Sequence, residues 1–327
     1  MQGEYNMTKE ISFARLSSLT RTWLEAGGQP TVELAAMEPT LWQDSGRSIL
    51  DVIQLFAGAG YQVNLTTNGS TLTQYAAALA QSPVNKLRIS WHSLDRKVYE
   101  NITRGDYRTF LLGVRQAEKY GLPLCYNRIL FHGLTDDIHQ HLDIVDRQRS
   151  RIKFLELYIT EQNKLHFGSY HTRIDEFLKI VESYPGIRRE EDFTPGYATR
   201  SRYVWRTPNG GRVEFKVAET CKKLPVCASC PYNKDCTEGF GEYFRVLPNG
   251  KAAFCYLRND FDLPLFKGDA PDFPGLARQL EKTAGLEFDT WVKKRSLRLI
   301  LTTHCNYNCS LPHGEAIFCL GKRFRNL

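Results

Sequence analysis

Tyr61-Gln62-Val63-Asn64-Leu65-Thr66-Thr67-Asn68-Gly69, followed directly by Ser70-Thr71-Leu72-Thr73-Gln74-Tyr75-Ala76-Ala77-Ala78-Leu79-Ala80, sets the reading of the whole chain. Val63 and Leu65 alternate with polar neighbours, the period of a half-buried strand over Tyr61–Thr66. Asn68-Gly69 closes the strand, and Leu72–Ala80 then reads as a helix. The same unit repeats outward. Thr31–Leu34 reads as a strand and Ile49–Ala59 as a helix. On the other side Leu87–Trp91 is a strand, Phe110–Tyr120 a helix stopped by Gly121, and Leu124–Leu130 a strand. His139–Gln148 is a helix and Ile152–Tyr158 a strand. Strands alternating with helices imply parallel βαβ units. Without a glycine-rich phosphate loop, five such strands favour a TIM-like barrel arrangement over a dinucleotide-binding sheet, with the chemistry at the C-terminal strand ends.

Beyond residue 165 the pattern changes. Phe177–Glu182 still reads as helix. Ser201–Arg206 and Arg212–Lys216 flank Pro208-Asn209-Gly210-Gly211, a β-hairpin signature. Residues 258–275, rich in Asp, Pro and Gly, read as a linker, Leu276–Thr283 as a helix and Leu297–Thr302 as a last strand. The expected organisation is a barrel over 1–165, a small β-rich domain over 166–260, a linker and helix over 261–295, and a barrel strand with its loop over 296–327.

The 327 residues suffice for a sizeable core. No apolar run reaches membrane length, and Met1-Gln2-Gly3-Glu4-Tyr5 lacks the basic start and apolar stretch of a secretory signal, so a cytoplasmic protein is expected. The net charge of +7 weakly favours anionic partners such as nucleotides or phosphates, though a solvated surface is the commoner cause of such an excess. Nine cysteines without a signal point to metal rather than to disulfides.

Cys227, Cys230 and Cys236 are spaced C-x₂-C-x₅-C, and Val246–Lys251 reads as a hairpin turn that returns Cys255 towards them. Four converging thiolates suit a [4Fe–4S] cluster or a structural zinc. Cys125 and Cys221 read as small buried apolar residues. A second constellation, Cys305-Asn306-Tyr307-Asn308-Cys309-Ser310-Leu311-Pro312-His313, follows the last strand as a loop at a barrel mouth should.

This loop resembles the C-x₃-C-x-φ-C loop of radical SAM enzymes, with Leu311 at φ. The resemblance implies a [4Fe–4S] cluster on Cys305 and Cys309 whose open iron chelates S-adenosylmethionine (SAM), and release of a 5′-deoxyadenosyl radical. Pro312 stands where the third cysteine is expected, and proline cannot bind iron; His313 or Cys319 are the candidate replacements. Val32-Glu33-Leu34-Ala35-Ala36-Met37-Glu38-Pro39 is similar to the T-G-G-E-P strand of the GTP 3′,8-cyclase group, with Ala36 and Met37 in place of the glycines. Leu65–Gly69, Ile89-Ser90-Trp91-His92-Ser93-Leu94-Asp95 (His92 in place of an aspartate), Ile102–Gly105, Tyr126-Asn127 with His132–Asp137, and Phe154–Leu157 resemble later family strands in order. The C-x₂-C-x₅-C…C set is closer to the SPASM/Twitch class. By this resemblance Glu38 receives the SAM amino group, and Thr67, Asn68, Ser90, Asn127, Leu155, Tyr307 and Leu311 complete the cofactor site. Tyr307 equally reads as a cover for the cluster. Asp136-Asp137 reads as a helix cap.

In the family the cluster loop comes first; here it comes last. Moving residues 296–327 ahead of Met1 restores the family order, so the chain reads as circularly permuted, and Leu297–Thr302 is expected beside Thr31–Leu34 and parallel to it. Truncated duplication or a mis-assembled gene gives the same order. Three functions follow. The first is a radical SAM enzyme acting on a peptide or nucleotide, with an electron donor of flavodoxin or ferredoxin type. The second is an impaired homologue that binds metal or peptide. The third is a zinc-stabilised binding protein. No polymeric nucleic acid is expected as a partner.

Overall fold

The computed structural model of the chain describes residues 10–157, 159, 165, 167–190, 202–216, 223–234, 236, 240–255, 257–293 and 295–302. Along the chain run α1 (Phe13–Glu25), β1 (Thr31–Leu34), β2 (Gln43–Asp44), β3 (Arg47–Ser48), α2 (Ile49–Gly58), β4 (Gln62–Thr67), α3 (Leu72–Ala80) and β5 (Val84–Ser90). Then come α4 (Arg96–Thr103), α5 (Tyr107–Lys119), β6 (Leu124–Leu130), α6 (Ile138–Gln148), β7 (Arg151–Glu156), α7 (Phe167–Tyr170) and α8 (Ile174–Glu182). The rest is β8 (Arg188–Glu190), β9 (Arg202–Arg206), β10 (Arg212–Lys216), β11 (Phe240–Val246), β12 (Lys251–Cys255), β13 (Asp262–Pro264), β14 (Phe266–Lys267), β15 (Ala270–Pro271), α9 (Phe273–Ala284), α10 (Phe288–Val292) and β16 (Leu297–Leu299). The fold class is the α/β one expected. Among the described residues no helix is long and apolar enough to cross a membrane.

The chain forms two compact units. The first holds the described residues up to Thr67, Ala77–Asn85 and those from Gly241 to Thr302. Its strands are ordered β13-β12-β11-β16-β1-β4. β16 runs parallel to β1 with Val32, Glu33 and Leu34 opposite Leu297, Arg298 and Leu299, the adjacency expected of two segments more than 260 residues apart. Its other neighbour was not expected: β16 also pairs in parallel with β11, Phe244 opposite Leu297. The hairpin β11–β12 thus extends this sheet, its turn closed by bonds from Gly250 N to Leu247 O (2.9 Å) and from Leu247 N to Lys251 O (2.9 Å). Trp23, buried on α1, lies 4.8 Å from Phe244 between ring centres.

The segment expected as a linker is not one. Residues 262–271 carry β13, β14 and β15, with Leu263 and Leu265 buried. Strands of two or three residues are too short to show a period, so composition alone misreads them. α1 was also overlooked, although Leu16, Leu19 and Trp23 line one buried face and the Ser12 hydroxyl accepts from Arg15 N at its start.

The second unit holds Asn68–Ala76 and Lys86–Phe240, with strands ordered β5-β6-β7-β10-β9-β8. β5, β6, β7 and β10 run parallel and β9 and β8 return antiparallel. One face of these strands is apolar: Leu87, Ile89, Tyr126, Ile152, Phe154, Val213, Phe215 and Trp205 are buried. Gly69 turns with φ +83°, and a Cβ there would stand 2.8 Å from the Phe110 ring, so the turn demands glycine on both counts.

Candidate functional site

In the first unit the strand end after β1 carries Ala35-Ala36-Met37-Glu38. Ala36 and Met37 have φ +69° and +52°, the left-handed region that glycine occupies without strain. The backbone therefore keeps the course that two glycines would give it, with side chains added. Met37 is 5% exposed and buried beside it is Glu38, at 0%. Burying a carboxylate is costly unless its oxygens are bonded. Here Glu38 Oε1 accepts from Thr40 Oγ1 (2.6 Å), from Thr40 N (3.3 Å) and from Thr67 Oγ1 (2.8 Å), and Oε2 from Thr67 Oγ1 (2.9 Å). Thr67 ends β4, which pairs with β1 in parallel, so register brings the two residues together. On the same sheet Glu33 Oε1 accepts from Thr66 Oγ1 at 2.8 Å.

In the second unit Ser90 and Asn127 are register partners at the ends of β5 and β6. Trp91 N donates to Asn127 O (2.9 Å), after which the chain leaves the sheet. The His92 ring takes over as acceptor: Ile129 N donates to its Nδ1 at 3.3 Å. That bond fixes a neutral ring with its proton on Nε2. Burial, seconded by the Arg128 charge, pushes the His92 pKa down to about 4. Asn127 Oδ1 is buried with no hydrogen-bond partner among the described residues. Leu155 is the register partner of Ile129 on β7. Asn68 is used locally, its Oδ1 accepting from Ser70 N at 2.9 Å in the turn.

Asp137 corrects an expectation. It stands at the start of α6 but makes no side-chain cap bond. Its Oδ1 lies 2.6 Å from Arg128 Nη2, and its Oδ2 accepts from Ser93 Oγ (2.9 Å) and Leu94 N (2.6 Å). A buried guanidinium is a stronger claimant than a helix end. Burial alone would raise the Asp137 carboxyl; the Arg128 charge outweighs it and holds the group below its usual range. Arg128 Nη1 also meets His141 Nδ1 at 2.6 Å. Burial first and Arg128 second push His141 down to about 3. Nothing in the sequence marked His141 or Arg128; their pairing crosses from β6 to α6.

Cys305, Tyr307, Cys309, Leu311, Pro312, His313 and Cys319 lie outside the described residues, as does Cys221. Cys125 is buried on β6, as expected. Cys227, Cys230 and Cys236 belong to the second unit and Cys255 to the first; all four are free thiols. Burial raises the Cys227 thiol, and the neighbouring Cys236 and Cys230 add to this. Cys255 Sγ accepts from Leu257 N at 3.4 Å, and Arg245 donates to the Cys255 carbonyl. Among the described residues no three His, Cys, Asp or Glu side chains are grouped closely enough to hold a metal ion.

Each unit offers a strand end with groups that could meet a polar ligand such as SAM: in the first a left-handed, glycine-like backbone beside a buried carboxylate, in the second an amide oxygen with no partner among the described residues.

Residues 7–145 match the model of the radical SAM superfamily. The probable GTP 3′,8-cyclase of Methanothermobacter thermautotrophicus is 26% identical over 259 residues, covering 77% of this chain and 76% of that protein. The probable GTP 3′,8-cyclase of Sulfurisphaera tokodaii is 29% identical over 274 residues, covering 81% and 78%. The solved structure of native anSMEcpe with bound AdoMet and Kp18Cys peptide has a TM-score of 0.48 at 15% identity, covering 94% of this chain and 84% of that one.

Proposed function

We take as premise that this chain belongs to the radical SAM superfamily, whose cofactors are a [4Fe–4S] cluster and SAM, and we propose that it modifies a peptide or nucleotide by radical chemistry. The observation that carries the reading is the buried Oδ1 of Asn127, a strand-end acceptor with no hydrogen-bond partner among the described residues. When bound and reduced, the cluster supplies the electron that cleaves SAM and yields the 5′-deoxyadenosyl radical. The chain's own residues hold and orient. Glu38, screened from water and anchored by Thr40 and Thr67, would receive the SAM amino group. Thr67 in the first unit, and Asn68, Ser90, Asn127 and Leu155 in the second, are the further residues that the family resemblance assigns to SAM.

Cys305 and Cys309 would hold the SAM-binding cluster, with His313 or Cys319 as third ligand; Tyr307 and Leu311 would flank it. An auxiliary cluster on Cys227, Cys230, Cys236 and Cys255 rests on their spacing in the sequence alone, since the described residues group no three such side chains closely enough for a metal. A permuted order, with 296–327 as the displaced first strand and loop, is supported by the parallel register of β16 against β1. Electrons would come from a flavodoxin or ferredoxin.

Anaerobic incubation with SAM and dithionite tests this reading, with 5′-deoxyadenosine as product. The companion variant is Pro312→Cys: unchanged iron means that His313 or Cys319 already completes the cluster, and a gain of roughly four atoms per chain means that neither does. No deoxyadenosine from either protein overturns turnover. It would favour the second reading, an impaired homologue that binds metal or peptide, to which Pro312 and the left-handed Met37 already point.

A further inference from the structure

The polar strand ends of the second unit give way to apolar surface one step further out. Ser90 and Asn127 are register partners, and two residues on, Ile129 pairs with Leu155 across β6 and β7. Two residues of strand advance about 7 Å. His92, two residues past Ser90, stands at this outer step, where Ile129 N donates to its Nδ1 at 3.3 Å. The lone pair of the neutral ring is thereby used, and the proton stands on Nε2. That N–H has no hydrogen-bond partner among the described residues, and the ring is part-exposed. His92 is therefore a fixed, neutral donor. It can serve an acceptor, and it cannot take up a proton without giving up Ile129 N.

Around Ile129 the side chains are apolar. Ile102, Ile129, Phe131 and Leu157 form a buried cluster. Leu134, Phe167 and Tyr170 pack against it and stay part-exposed. Leu165, two residues before Phe167, is 86% exposed. Small apolar clusters under loops are ordinary. This one has an open rim and a ring N–H at its edge, the mixture of apolar bed and single placed polar group that small ligand sites use. No member of the cluster is charged. Arg128, between Asn127 and Ile129 in the chain, is 1% exposed and already held by Asp137 and the Leu134 carbonyl (3.0 Å).

The geometry points to a peptide as the substrate met by this unit: a backbone carbonyl accepts from His92 Nε2–H, and an apolar side chain beside it packs on Leu134, Phe167 and Tyr170. A carbonyl is a neutral acceptor, and one neutral donor serves it. The phosphates of a nucleotide call for guanidinium or ammonium groups, which the cluster does not contain. The choice between peptide and nucleotide thus falls on peptide. Turnover of that peptide rests on the radical reading; its binding does not.

The test is fluorescence anisotropy of the full-length protein, kept anaerobic with SAM present. The probes are a labelled (Gly-Ser)₂-Phe-(Gly-Ser)₂ peptide and its counterpart with Ser in place of Phe. The Phe peptide should bind about tenfold tighter, the effect of burying one large apolar side chain on a part-open bed. His92→Asp keeps an acceptor for Ile129 N and removes the donor, so affinity for the Phe peptide should fall roughly five- to tenfold. His92→Asn keeps both an acceptor and an N–H and should lose less. Phe167→Ser should narrow the preference for Phe over Ser, which a purely structural role would leave unchanged. Thermal melting checks folding, and His92→Asp keeps the test valid if Phe167→Ser unfolds. Equal binding of the two peptides, binding of neither, or unchanged affinity in folded His92→Asp overturns the proposal. So does GTP, as nucleotide probe, if it binds more tightly than the Phe peptide and is lost with the same variants. Deoxyadenosine is scored separately. Variant-sensitive peptide binding without deoxyadenosine removes the radical reading alone, and deoxyadenosine without peptide binding removes this proposal alone.

Discussion

Two carboxylates, a buried one after a strand end and a part-buried one at a helix start, are held in opposite ways. In the first unit Glu38 is solvated locally: Thr40 lies two residues on and Thr67 ends the adjacent strand. In the second, Asp137 is held by a charge, Arg128, with Ser93, Leu94 and His141 gathered around the pair. The first arrangement spends hydroxyls and leaves a strand end shaped by strained backbone at Ala36 and Met37. The second ties β6, α6 and the loop after β5 into one ionic knot. A site meant to receive a charged ligand gains from the first kind; a site meant to hold elements together gains from the second.

The sharpest way to break this contrast is to remove one partner of the ion pair. Arg128→Met should cost about 1–3 kcal/mol in urea unfolding, because the part-buried Asp137 loses its counter-charge and keeps only its bonds from Ser93 and Leu94 N. A loss under 1 kcal/mol would mean that the pair only decorates the loop. Acid should act on the same region. Both His92 and His141 titrate below the ordinary histidine value of 6.5 when folded. As pH falls below about 6.5 the unfolded chain takes up protons that the native rings refuse, so stability declines with pH. For His92 the decline runs from about pH 6.5 to about 4 and amounts to about 3 kcal/mol. His92→Asn keeps an acceptor for Ile129 N and removes that titration, so its stability profile should be flatter over this interval; an unchanged slope refutes the assignment.

On the Glu38 side the expected effects are no larger. Thr67→Val takes bonds from both carboxylate oxygens and should cost about 1–3 kcal/mol, with SAM affinity falling in equilibrium dialysis. Ala36→Gly relieves a left-handed alanine at the cost of chain entropy, for a net gain of about 0.5–1 kcal/mol in denaturant midpoint; a loss there would show that the positive φ carries no strain. Met37→Gly should show both signs: lower stability, since a buried side chain is lost, and tighter SAM binding, since the strand end is opened.

The alternation of strands and helices was legible because Val63, Leu65, Ile89, Tyr126, Ile152 and Phe154 carry the strand period in plain view. Leu124–Leu130 and Leu72–Ala80 have the bounds read from the sequence. α4 escaped notice because only Tyr99 and Ile102 of its eight residues are buried, too few to show a helical face. The short strands β13 to β15 escaped for the same reason. Of the site, the strand-end polar residues could be named from motifs, while the Arg128–Asp137–His141 group could not.

The sequence by itself determined the α/β class, the strand-end candidates Glu38, Thr67, Ser90 and Asn127, and the departures at Met37 and Pro312. These are local properties: period, turn chemistry and the identity of a side chain at a motif position. Only the tertiary structure decided that β16 lies between β1 and β11, that Asp137 serves Arg128 rather than a helix end, and that the His92 ring takes up Ile129 N. Register is the reason. It joins residues scores of positions apart, and a shift of one residue would turn each side chain to the other face.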